Sequence, residues 1–174
     1  MQIVFINYGK YCVSSGVHIH FIANVLRDMG HDCTVVLPTV EDSCYFGTPD
    51  YKILSYETFV EKIIAGAYSS ETILHAWTPR EQVRTMTLMA AKALQARYFV
   101  HLEDNERYLL ETQYKKPFAE LVRLTAKGEL NASGHLCHPI LHQAFIAEAA
   151  GVSFLMDRPV GRSEERRVGK ECRS

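Results

Sequence analysis

Residues 2 to 7, Gln-Ile-Val-Phe-Ile-Asn, are almost unbroken apolar and β-branched positions, the pattern of a strand buried on both faces. After a loop containing Gly and Ser, Val17, Phe21, Val25 and Met29 recur at four-residue steps with Ile22 and Leu26 beside them. That spacing predicts a helix over 17–29 with these residues as its apolar face, stopped by Gly30. Cys-Thr-Val-Val-Leu-Pro (33–38) predicts a second strand, so residues 1–38 read as a βαβ unit.

The alternation then repeats. The turn-rich stretch 41–50 leads to a short strand at 52–54 and a helix over 56–65. Residues 72–77, Thr-Ile-Leu-His-Ala-Trp, predict a strand, and Pro79 suits a helix N-terminus because its missing N–H costs nothing there. That helix is expected to reach about Ala96. A strand at 97–102 and helices over 105–113 and 117–126 follow. A helix in 138–151, ended by Gly151, then precedes a strand at 152–156. Strands alternating with helices predict an α/β fold, a Rossmann-like parallel sheet with helices on both faces. No internal repeat or low-complexity segment interrupts it.

Composition narrows the function classes. A chain of 174 residues, 47% hydrophobic, is long enough for one domain with a real core. With 19 basic residues against 20 acidic ones, no overall field recruits nucleic acid or an anionic membrane. No window reaches the roughly 18 apolar residues of a membrane span, and the opening Met-Gln-Ile-Val-Phe has no basic leader; a cytoplasmic location is expected. Five cysteines (Cys12, Cys33, Cys44, Cys137, Cys172), an odd number without Cys-x-x-Cys, fit reduced thiols better than a disulfide framework or a zinc knuckle.

The last 13 residues, Arg162 to Ser174, differ in character from the rest: dense in charge, they follow an apolar strand without a linker. The string Arg-Ser-Glu-Glu-Arg-Arg-Val-Gly-Lys-Glu-Cys-Arg-Ser resembles the in-frame translation of a short-read sequencing adapter. The alternative is a solvated basic tail. On the adapter reading the natural sequence stops at about Gly161, residues 1–161 form the domain and 162–174 are non-native. The body then holds 14 basic and 17 acidic residues, a net charge of −3, and four cysteines.

Candidate chemistry falls at the carboxyl ends of the predicted strands, where ligands gather in such sheets. Ser14, Ser15 and Gly16 precede the first helix, where free N–H groups and the positive dipole end favour an anion such as phosphate. Without Gly-x-Gly-x-x-Gly, an ordinary capped helix start with no ligand fits the spacing better. His75 and Trp77 end one strand; Trp77 suits stacking on a sugar or base, or a place in the core. His101, Glu103, Asp104, Asn105 and Glu106 end the next, where His101 could shuttle a proton and the carboxylates orient sugar hydroxyls; a polar strand end and a helix N-terminal charge cluster fit equally well. His135, Cys137, His138 and His142 have spacing that could bind a metal, but a helix start with surface histidines explains them better. Arg107, Lys115, Lys116, Arg123 and Lys127 among apolar residues suggest a weak membrane-surface contact; Glu111, Glu120 and Pro117 argue instead for two solvated helices.

These motifs together resemble the amino-terminal Rossmann-like domain of GT-B glycosyltransferases, especially glycosyltransferase family 4. Ser15-Gly16 stands where the family has Gly-Gly, His20 at its helix histidine, and Gly30-His31 before its second strand. Ile73-Leu-His-Ala-Trp-Thr-Pro79 is similar to its Asp-x-x-His-x-His strand end, with Trp77 in place of the second histidine. Tyr98-Phe-Val-His-Leu-Glu-Asp-Asn-Glu106 is similar to its strand ending in a histidine near the reacting sugar. The resemblance covers essentially all of 1–161.

It implies the acceptor-side half of a glycosyltransferase of hexosyltransferase type, retaining and metal-independent. A nucleotide-diphosphate sugar would be the donor substrate and a glycan, lipid or small molecule the acceptor, with no cofactor. Ser15 and Gly16 would face the donor diphosphate, and His101 would be the catalytic candidate. His20, His75, Trp77, Glu103, Asp104 and Asn105 would contact acceptor or sugar. A second Rossmann domain with an Glu-x7-Glu motif would follow residue 161, and without it the chain is expected to be inactive. A GT-B-fold sugar-nucleotide epimerase and a non-catalytic Rossmann-like binding module are the alternatives.

Overall fold

A computed structural model of the chain describes residues 1–12, 14–40, 47–131 and 133–154. Six strands form one all-parallel sheet in the order β3-β2-β1-β4-β5-β6. The strands are β1 (Gln2–Ile6), β2 (Asp32–Leu37), β3 (Lys52–Ser55), β4 (Ile73–Trp77), β5 (Tyr98–Leu102) and β6 (Gly151–Phe154). The helices are α1 (Ser14–Asp28), α2 (Tyr56–Ile64), α3 (Glu81–Leu94), α4 (Glu106–Tyr114), α5 (Phe118–Ala126) and α6 (Leu141–Ala147). The fold is α/β and Rossmann-like, as the alternating pattern predicts.

Chain direction decides which face each helix covers. The step from β1 to β2 runs one way along the sheet, while β3 to β4, β4 to β5 and β5 to β6 run the other way. Right-handed crossovers therefore put α1 on one face and the later helices on the opposite one. The packing follows: Ile19 and Ala23 of α1 bury against Ile3, Phe5 and Val35. Phe59 of α2, Val83 and Ala90 of α3 and Phe145 of α6 bury against the alternate strand residues. Among the described residues, no helix covers the α1 side of β4, β5 and β6. A groove of about 430 Å³ runs there, between Ile22 and Leu26 of α1 and Ile73, Phe99, Gly151 and Ser153 of the sheet.

The predicted apolar face of α1 is its outer one. Phe21, Val25 and Met29 are 62%, 58% and 66% exposed, while Ser15, Ile19, His20 and Ala23 turn inward. The sheet accepts a narrow helix face, so the smaller residues pack and the larger apolar stripe stays in solvent. Val25→Glu is accordingly expected to change stability by less than ~0.5 kcal/mol, as surface substitutions do. Urea denaturation checks this; a cost of about 2 kcal/mol or more, the scale for core residues, would return Val25 to the interior.

Element boundaries differ in three informative places. α1 begins at Ser14, so Ser15 and Gly16 lie in its first turn and not in the loop before it. Gly30 ends it as expected: at φ 86° it donates to the Arg27 carbonyl (2.8 Å), and His31 donates to that of Leu26 (3.0 Å). The helix expected in 138–151 is only Leu141–Ala147, because His138 Nδ1 accepts from the Ile140 and Leu141 amides (3.2 and 3.1 Å) and holds the chain off the helix before it starts. Gly151 opens β6 and does not end that helix. Leu155 and Met156 of the expected last strand, Cys44 and the whole 162–174 segment lie outside the described residues.

Candidate functional site

The carboxyl ends of β1, β4 and β5 meet the first turn of α1 at the point where strand order reverses between β1 and β4, the usual ligand crevice of such sheets. Ser15 is fully buried, and its hydroxyl donates to Glu103 Oε2 at 2.5 Å, linking α1 to the segment after β5. A carboxylate thus already faces the helix start that the resemblance gives to a diphosphate. Gly16 approaches its own chain: a Cβ there would lie 1.8 Å from the Tyr11 carbonyl oxygen. Its small size serves the packing of the loop on the helix.

On the same sheet face His101 is 4% exposed and stacks on Trp77, ring centroids 4.0 Å apart and planes 23° apart. Trp77 is itself fully buried, which spends its ring face on His101. His101 Nδ1 lies 2.9 Å from Ser153 Oγ of β6, and the same oxygen lies 3.4 Å from His75 Nε2. Burial drives the His101 pKa down to about 4, helped by the nearby charge of His18. Burial and then the His101 charge do the same to His75, also to about 4. Both imidazoles are neutral at physiological pH. His101 Nε2, Trp77 Nε1 and both side-chain polar atoms of Asn7 are buried without a hydrogen-bond partner among the described residues. Unsatisfied polar atoms gathered at a strand-end crevice fit a ligand or ordered water.

His20 is engaged elsewhere. Its Nδ1 lies 2.9 Å from Tyr51 Oη and 3.5 Å from Tyr11 Oη, and Asn24 Nδ2 lies 3.1 Å from its Nε2. These bonds tie α1 to the β2–β3 side of the sheet and leave neither ring nitrogen free for a sugar. Asn105 caps α4, its side chain accepting from the Tyr108 amide at 3.0 Å. Asp104 pairs with Arg80 Nη2 at 2.9 Å.

No protein-family model matches the chain, and no curated protein does. Among solved structures, MT0777 is similar at 15% identity with a TM-score of 0.43, over 84% of this chain and 97% of its own.

Arg80 is a site residue that the sequence pattern does not single out. Its guanidinium lies 4.2 Å over the Tyr8 ring, donates to the His135 carbonyl (2.9 Å) and to Asp104, and stands 3.6 Å from Glu106 Oε1. One side chain thus gathers the end of β1, the end of β5 and the 134–137 segment. Burial pushes the Glu106 carboxyl up to about 7 against the pull of Arg80, with Asp104 and Glu103 adding to the rise. Neighbouring Thr78, at φ 75°, also buries a hydroxyl without a partner among the described residues. Arg directly after Trp-Thr-Pro at a strand end was the available signal; its partners, 24 to 72 positions away, were not.

The histidine-rich stretch 135–142 is a capped helix start. His138 caps α6, and His142 is buried, not on the surface, with Nδ1 2.8 Å from the His138 carbonyl. Among the described residues no three His, Cys, Asp or Glu side chains gather as metal ligands. Cys33 and Cys137 are buried free thiols. The basic residues of α4 and α5 sit beside Arg107–Glu111 and Lys116–Glu120 pairs, and the two helices bury Leu110 and Leu121 against each other. No described helix is long and apolar enough to cross a membrane.

Proposed function

We propose that residues 1–161 are the amino-terminal, acceptor-side half of a nucleotide-sugar-dependent glycosyltransferase. The observation that carries this reading is His101: a neutral, buried imidazole at the carboxyl end of β5, beside the first turns of α1, with an Nε2 that no described residue satisfies. Such a group accepts a hydrogen bond from a sugar hydroxyl or steadies positive charge at a reacting sugar without carrying a charge of its own. The α1 N-terminus adds backbone N–H groups aimed at the same crevice, where they would stabilise charge developing on a leaving diphosphate. The uncovered α1 side of β4–β6 supports the view that more protein packs on this domain.

Glu103 sets a condition on this chemistry. Its carboxylate must swing off Ser15 or stay as a like charge beside the phosphate. Glu103→Gln is expected to tighten binding of inorganic pyrophosphate about five-fold, since removing one charge at roughly 4 Å in water is worth ~1 kcal/mol. Calorimetric titration checks this, and weaker binding by the glutamine variant would mean the carboxylate helps to build the site.

Re-sequencing the source DNA across codon 161 with a method free of adapters tests the reading as a whole. Continuation into a second α/β domain, with no nucleotide-sugar turnover by the 174-residue chain and turnover by the longer one, is the expected result. A native frame that encodes Arg162 to Ser174 and stops would overturn it, as would robust transfer by the present chain.

A further inference from the structure

Two imidazoles and one hydroxyl meet on the α1 side of the sheet: the Ser153 hydroxyl of β6 bridges His101 of β5 and His75 of β4. We propose that Ser153 is a positioning residue that fixes the tautomer of His101, holding its proton on Nδ1 and leaving Nε2 as a bare acceptor in the crevice. The proposal rests on the role given to His101 above.

Hydrogen counting makes the bridge directional. Ser153 has one hydroxyl hydrogen and stands between two neutral rings, so it donates to one and accepts from the other. The shorter contact, 2.9 Å, is to His101 Nδ1, and the longer, 3.4 Å, is to His75 Nε2. Two arrangements satisfy the bridge. In one, His101 Nδ1–H donates to Ser153, whose hydroxyl donates to His75; in the other, every donor is reversed and His101 Nε2 carries a hydrogen.

The surroundings of Nε2 decide between them. That atom is buried without a partner among the described residues, and two residues further along the chain Glu103 is bonded to Ser15 in the first turn of α1. The positive end of α1 favours a lone pair over an N–H pointing toward it. Stacking on Trp77 keeps the ring from turning. The other histidine nitrogen of the bridge is equally fixed, because His75 must then carry its hydrogen on Nδ1.

Nitrogen-resolved spectra of the histidine rings, recorded on the ¹⁵N-labelled 174-residue chain, test this directly. Free imidazole of histidine prefers its proton on Nε2, so a dominant Nδ1–H form at His101 requires an acceptor at Nδ1. The wild-type chain is expected to show His101 mainly as Nδ1–H. Ser153→Ala should turn that majority into a minority, and Ser153→Thr, which keeps the hydroxyl, should restore it. Ser153 is exposed, so neither variant is expected to disturb folding. A wild-type ring protonated on Nε2, or a tautomer unmoved by Ser153→Ala, would overturn the proposal. The transferase reading is tested separately by ligand binding and turnover, so either can fail while the other stands.

Discussion

Gly16→Ala is expected to destabilise the protein by about 3 kcal/mol, the upper range for forcing a methyl group into packed surroundings. The added Cβ would stand 1.8 Å from the Tyr11 carbonyl oxygen and 2.8 Å from its carbonyl carbon, so it meets backbone and not a side chain that can turn away. For a domain of this size the melting temperature should drop by about 6–12 °C. Gly30→Ala is the natural comparison: nothing lies within 4 Å of its Cβ, and only the positive φ of 86° opposes the change. That costs about 1–2 kcal/mol. Thermal melts of the two variants side by side separate steric from conformational causes. If Gly16→Ala melts with wild type, the loop at Tyr11 moves off α1 without cost, and the site's entrance is looser than the structure makes it.

Glu106→Gln is expected to change the pH dependence of stability more than its level at any one pH. The unfolded carboxyl titrates near 4.5 and the folded one near 7, so between those values the folded state holds a proton that the unfolded state has lost. Stability from this group is therefore full below 4.5 and falls as pH rises through 7, by about 3 kcal/mol. His75 and His101 act in the opposite sense. Unfolded, they titrate near 6.5 and folded near 4, so acidification across that range protonates the unfolded chain first and costs stability. Each is worth on the order of 3 kcal/mol, the pair less than twice that because the His75 shift includes the His101 charge.

In the wild-type chain the two opposing slopes partly cancel between pH 4.5 and 6.5. Glu106→Gln removes one of them, so the variant should lose about 3 kcal/mol more than wild type on acidification from pH 7 to 4.5. Arg80 keeps Asp104 as a counter-ion in that variant. Urea midpoints measured across this range give the answer. A difference between the two proteins that does not vary with pH would show that Glu106 titrates normally and that Arg80 holds it ionised.

The pattern of apolar runs was enough to place nearly every strand. β1 and β2 carry β-branched or aromatic residues in an almost unbroken stretch because both their faces are buried, while β4 and β5 stand out by Ile, Leu, Val and aromatic residues between turn signals. The right-handed crossover rule adds the sheet's layering without any knowledge of side chains. The glycine at 30 and the crowding of polar residues at strand ends were legible for the same local reason: each depends on neighbours within a few positions.

The α1 face was misread because periodicity reports that a helix has an apolar stripe, not which stripe the sheet receives. Phe21, Val25 and Met29 form the longer stripe, yet Ile19 and Ala23 fit the space above β1 and β2. Only the tertiary structure put Glu103 on Ser15, 88 positions away, brought Ser153 to His101, and gathered Tyr8, Asp104 and Glu106 around Arg80. It also spent Trp77 on His101 and His20 on Tyr51. By itself, then, the sequence determined the fold class, the strand positions and the edge of the sheet where chemistry gathers, since these follow from local patterning and chain handedness. Which side chains meet there, and which protonation states they keep, was decided by burial and by contacts between residues distant in the chain, and those exist only once the sheet has formed.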